Sequence, residues 1–146
     1  MPAPSPTCSR LIMPALACLL AFGSASAMAA GKSHPSTGVP PRPVVRCGWL
    51  DNPTPGNVWL TDRQGEWLIG EQGGYQADGD WPDFPPDRWV ATNGEHGYGC
   101  ACLRVVDDAA GHRILRILGG RSRPLAACLH DPGLPRRDPK ADRQGS

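Results

Sequence analysis

An excess of charge of either sign is missing from this 146-residue chain, in which 15 Lys and Arg face 14 Asp and Glu. A nucleic-acid binder needs a basic face to displace phosphate counterions, so no nucleic-acid partner is expected. Serine is scarce after residue 29, where only Ser33, Ser36, Ser122 and Ser146 occur. With no Gly-x-Ser-x-Gly elbow either, the usual serine-hydrolase layout is missing. No Gly-rich loop follows a β-prone run and opens a helix, so nucleotide binding lacks its motif. Helical periodicity and internal repeats are also wanting. Long apolar runs are limited to one, Leu11–Phe22, of twelve residues.

That run has a purpose. It follows a short acid-free start ending in Arg10 and precedes the small residues Gly23, Ser24, Ala25, Ser26, Ala27, Ala29 and Ala30. This is the layout of a secretory signal peptide over residues 1–29, with the cut expected before Ala30 and an alternative after Ala27. The run is shorter than the ~20 residues a bilayer span requires, and Pro14 interrupts it, so no stable membrane anchor is expected. A lipid anchor at Cys18 would leave only about seven apolar residues ahead of the cysteine, at the short end of the range. The expected location is the periplasm or the medium.

The remaining 117 residues hold 17 Gly and 13 Pro, near the level at which composition warns of disorder. Residues 30–44 (AGKSHPSTGVPPRPV) bury no apolar face and read as a Pro-rich linker. Residues 130–146 interleave Arg136, Arg137, Lys140 and Arg143 with Asp131, Asp138 and Asp142, and read as a disordered mixed-charge tail. The folded unit is expected over 45–129, a length at which a core is marginal without staples.

Within it, Val58–Thr61 and Glu66–Ile69 flank a turn closed by Gly65, the pattern of a hairpin. Tyr98–Val106 and Arg113–Leu118 flank a second turn, closed by Gly111. Arg46–Leu50 is a fifth short strand, and only Pro86–Thr92 offers a helical turn or two. The expected fold is all-β or mainly β: a small antiparallel sheet or barrel with a long central loop, Gln72–Asn93, stapled by two disulfides.

Four cysteines remain after the leader: Cys47, Cys100, Cys102 and Cys128. In an exported domain short of core they read as two disulfides. Residues i and i+2 of a strand point the same way, which disfavours Cys100–Cys102 and leaves two pairings. The second hairpin returns the chain beside Cys100 before Cys128, favouring Cys100–Cys128 with Cys47–Cys102. A soft copper site from Cys100, Cys102 and His96 is the sharper alternative, but Cys-x-Cys lacks the usual metal spacing. No metal or cofactor is expected. Asp78, Asp80 and Asp83 read as a solvated acidic turn, since the closing glutamate of a calcium loop is absent.

The aromatic residues are the richest feature. Trp49, Trp59 and Trp67 are expected in the core, as a domain this small needs them there. Trp81, among Asp80, Pro82 and Asp83, and Tyr75 lie in a loop too long to be a plain connection, so they are the expected contacts for an envelope protein or glycan. No catalytic residue set is legible. The expected function is that of a monomeric periplasmic binding or interaction module without catalytic activity. The alternative is a small cell-envelope hydrolase using loop carboxylates around Asp80 and Asp83.

Five motifs act together: Cys47-Gly48-Trp49; Asn52-Pro53-Thr54-Pro55-Gly56-Asn57 with Trp59-Leu60-Thr61-Asp62; Gly65-Glu66-Trp67; Gln72-Gly73-Gly74-Tyr75; and Gly97-Tyr98-Gly99-Cys100-Ala101-Cys102-Leu103. In this combination the stretch from Arg46 to Cys128 resembles the bacterial exported domain of unknown function 4087. The resemblance implies export and a small stapled domain, and it assigns no catalytic residues.

Overall fold

The computed structural model describes residues 42–144. The expected signal peptide, and the expected linker up to residue 41, lie outside the described residues. β1 (Val44–Thr54) and β2 (Asn57–Asp62) are joined at Pro55–Gly56, where Gly56 takes φ +74°. β3 (Gly65–Gly70) returns from β2 through the expected hairpin, with Gly65 at φ +122°. After the loop come β4 (Trp89–Asn93), β5 (His96–Asp108) and β6 (Arg113–Arg123), then α1 (Leu125–Leu129) and α2 (Pro139–Gln144).

The strand order β1-β2-β3-β6-β5-β4 carries an additional β1–β5 pairing, so β1, β2, β3, β6 and β5 close into a ring. All pairings are antiparallel except β3–β6, which meet in parallel at Leu68 and Arg113. The sheet is therefore mixed rather than purely antiparallel. Both strands are the second arm of a hairpin, and the ring closes where these arms come side by side, the Leu68 N–H donating to the His112 carbonyl at 2.9 Å.

Strand alternation fills the ring. Leu50, Val58, Leu60, Trp67, Ile69, Ala101, Leu103, Val105, Ile114 and Ile117 form one core. Trp49, one residue from Leu50, faces the other way and joins Val90, Tyr98, Cys100, Cys128 and Leu134 in a second. Trp49 and Trp67 are thus core as expected. Trp59 is not: it alternates with buried Val58 and Leu60 and is only half-buried.

Three further local expectations change. The Pro86–Thr92 segment is one 3₁₀ turn at Pro86–Arg88, after which the β-branched run pairs with β5 as β4. The loop accordingly ends before Trp89 rather than at Asn93. In the β5–β6 turn, the positive φ (+47°) falls on His112, not on Gly111. The Gly111 N–H instead binds the Asp108 side chain at 3.1 Å.

The cysteines pair as Cys47–Cys102 and Cys100–Cys128. The first joins direct register partners on β1 and β5. The second is reached because Cys100 lies opposite Arg123, just before α1 brings Cys128 back.

The tail is the largest departure. Residues 130–144 lie against the sheet rather than standing off as a solvated segment. Leu134 is buried, Trp49 Nε1 donates to the Pro135 carbonyl at 3.0 Å, and Tyr98 bonds Asp142. Asp138 caps α2 by accepting from the N–H groups of Lys140 and Ala141, with Pro139 at the first helical position. Composition misleads here because the tail is held by ring edges and ion pairs, which an apolar count does not register.

Candidate functional site

Antiparallel pairing gathers the C-terminal ends of β1 and β3 and the N-terminal ends of β2 and β5 at one end of the ring. The segment from Glu71 to Arg88 crosses this end and is pinned by its backbone. Ala77 N–H donates to Ile69 at 2.8 Å, Asp78 N–H donates to Leu115 at 3.1 Å, and Asp78 accepts from Ile117 at 2.7 Å. Glycine is required at residue 79, where φ is +83° and a Cβ would stand 2.3 Å from the Ile117 carbonyl oxygen. The aromatic residues of this segment therefore have a fixed seat.

Trp81 is half-buried against the barrel core, with Ala77, Phe84 and Trp89. On one side of it lies a depression of about 350 Å³, to which Val58, Ile69 and Ile117 give an apolar floor and Gln76, Asp80 and His96 give polar groups. On the other lies a depression of about 240 Å³, lined by Leu50, Pro82, Asp83, Phe84, Trp89 and Glu95. Trp81 and Asn52 line both.

The ring geometry is held from behind. Phe84 and Trp89 pack with centroids 4.9 Å apart, and Trp89 Nε1 donates to the Glu95 carbonyl at 3.1 Å. The Asn52 side-chain amide faces the carbonyls of Thr54 and Asn57, to which its nitrogen donates at 2.7 and 3.2 Å once the amide is turned to satisfy them. His96 Nδ1 is buried without a hydrogen-bond partner among the described residues. The side chains lining the two depressions include carboxylates and amides and no lysine or arginine.

Trp81 lines both depressions. Tyr75 lines neither depression: its hydroxyl donates to the Ile114 carbonyl at 2.7 Å, and Arg113 lies 4.8 Å from its ring centroid. Burial raises its phenol pKa above the ordinary value. The structure thus separates the two expected contact residues. It also separates Asp80 from Asp83, one to each depression. Sequence reasoning does not bring Asn52 and His96 to this site: Asn52 stands in a family motif, and His96 is drawn as a copper ligand with Cys100 and Cys102. Their approach to Trp81 comes from strand pairing, and no local pattern marks it. A larger depression of about 490 Å³ beside α1 is lined by Arg63 and Asp131, which pair with one another at 3.0 Å.

A family model described as Protein of unknown function (DUF4087) matches residues 42–135. No curated protein and no solved structure matches the chain.

Proposed function

The chain belongs to this family of proteins of unknown function, and from that premise we propose that it is an exported bacterial binding module acting as a monomer on a glycan-bearing envelope partner. The position of Trp81 carries the reading. This residue lines two open depressions whose linings combine aromatic residues with amides and carboxylates. Ring faces receive the apolar faces of sugars, and a few fixed polar groups orient hydroxyls. The acidic lining disfavours an anionic ligand. Tyr75 supports the loop that presents Trp81.

Two disulfides, and no helix among the described residues long and apolar enough to cross a membrane, are compatible with an extracellular or periplasmic protein. A hydrolase working with Asp80 and Asp83 as a pair needs them across one cleft. They line different depressions, so binding is favoured over hydrolysis.

Retention on purified peptidoglycan sacculi, compared between the wild-type protein and Trp81→Ala, tests the site. Loss of retention with a melting temperature lowered by only a few degrees supports it. Unchanged retention with a lowered melting temperature reduces Trp81 to packing. N-terminal sequencing of the exported protein should begin at Ala30, and recovery with Met1 intact would overturn export.

A further inference from the structure

The outer face of β1, β5 and β6 carries charge that the fold leaves unanswered. Direct register partners share a face, which sets Cys47, Cys102 and Arg121 in one row and Val45, Arg104 and Gly119 in the next. Arg104 and Arg121 are thus diagonal neighbours on adjacent strands, a spacing long side chains bridge easily. Beside them Gly119, at φ +143°, has nothing within 4 Å of where a Cβ would stand. Together with Leu118 these residues line an open depression of about 370 Å³.

Four arginines elsewhere show the contrast: Arg46, Arg63, Arg116 and Arg137 each face a carboxylate. The Arg104 and Arg121 side chains have no ion pair or hydrogen bond among the described residues. Overall charge balance does not oppose a local cationic face, because no carboxylate lines this depression. Apolar side chains stand in the same place: Val45, beside Arg104, is 67% exposed, and Leu118 is 39% exposed.

A soluble anion would be met by the guanidinium groups alone, and an apolar protein partner by Val45 and Leu118 alone. Both chemistries side by side match the surface of an anionic bilayer, with phosphates at headgroup level and hydrocarbon just beneath. We propose that this face docks on anionic phospholipid membranes, Arg104 and Arg121 forking onto lipid phosphates while Val45 and Leu118 enter the acyl boundary. With two cations and two apolar side chains, the association is peripheral and reversible. It is independent of the Trp81 groove, which lies at the ring end and has an acidic lining.

Co-sedimentation of the full chain with phosphatidylcholine vesicles, with and without phosphatidylglycerol, tests the docking. Wild-type protein should prefer the mixed vesicles. Arg104→Gln with Arg121→Gln should lower that partitioning by about tenfold or more, at roughly fivefold per arginine near an anionic surface. Val45→Ser with Leu118→Ser should lower it on the same vesicles. All four side chains are exposed, so the melting temperature should hold, and any association driven by the apolar leader cancels in the comparison. Equal partitioning of the arginine variant and wild type overturns the proposal. Binding to soluble polyphosphate as tight as to vesicles, insensitive to the Val45 and Leu118 changes, also overturns it and leaves a plain polyanion site.

Discussion

Asp51 on β1 and Arg137 in the tail, 86 residues apart in the chain, meet in a two-pronged ion pair, Nη1 to Oδ1 at 2.7 Å and Nη2 to Oδ2 at 2.8 Å. The same guanidinium lies 4.3 Å from the Tyr98 ring centroid and 5.3 Å from that of Trp49. Through this pair the tail is fastened over the second core. Burial, outweighing Arg137, holds the Asp51 carboxyl above its ordinary value of 3.8.

Removing the guanidinium is expected to matter most when Asp51 is ionised. A carboxyl whose pKa is raised on folding favours the folded state below its ordinary value, and that advantage is lost as pH rises through the folded pKa. Arg137→Ala leaves the buried charge unanswered and should cost about 2 kcal/mol at neutral pH. Below pH 3.8 the cost should shrink. Urea unfolding at the two pH values measures this, and a pH-independent cost would contradict the assigned role of the pair.

Alkaline behaviour follows from the two tyrosines, which are all the chain has. Burial raises both phenol pKa values above the ordinary 10.0, and for Tyr98 the hydrogen bond to Asp142 raises it further. Groups with raised pKa values contribute stability that is complete below the ordinary value and lost as pH climbs through the folded value. Ultraviolet titration at pH 10 should therefore show less tyrosinate in the native protein than in the denatured chain. Stability should fall from pH 10 upward, and Tyr98→Phe should flatten that fall. Equal tyrosinate in both states would refute it.

Arg46 is buried between two strand ends. It donates to Asp62 at 2.7 Å, Asp107 at 2.6 Å and Gln64 at 3.1 Å, with its guanidinium carbon 3.2 Å from the Trp67 ring centroid. Asp62 also accepts from Trp67 Nε1 at 3.0 Å, so the network ties β1 to the first hairpin. Arg46→Met strands two enclosed carboxylates and should cost about 3–5 kcal/mol in guanidinium unfolding. Replacing Asp62 and Asp107 by Leu in the same variant should recover much of the loss. A single-variant cost below about 1 kcal/mol, the range of exposed pairs, would show the network to be dispensable.

The disulfides close loops with sequence separations of 55 and 28. On the chain-entropy estimate they are worth about 4 and about 3.5 kcal/mol. Cys47→Ser with Cys102→Ser should lower unfolding free energy by about 2–5 kcal/mol, the usual range for a small stapled domain. The oxidised, denatured wild type should yield no alkylatable thiol among Cys47, Cys100, Cys102 and Cys128. Four reactive thiols would overturn the pairing.

Hairpins, staples and the barrel-like class were legible from local signals. Gly65 between two β-prone runs marks a turn whatever surrounds it, and Cys100 and Cys102 two apart on a strand disfavour their own bridge. The candidate site was half legible: Trp81 and Tyr75 stood out as aromatics in a polar loop, but nothing local told which would face the groove. The Tyr75 hydroxyl found the Ile114 carbonyl, whereas Trp81 shares a depression with Asn52 and His96, residues that strand register brings near.

What the sequence determined by itself was what depends on spacing of two to five residues: turns, strand alternation and the disfavoured cysteine pair. Tertiary structure decided what depends on partners far along the chain. Ring closure through Leu68 and Arg113 needed two hairpins to meet, and the ordered tail needed Asp51, Trp49 and Tyr98 waiting on a finished sheet. A polar, proline-rich segment has too little apolar surface to order itself, so its structure exists only where other elements supply its hydrogen bonds.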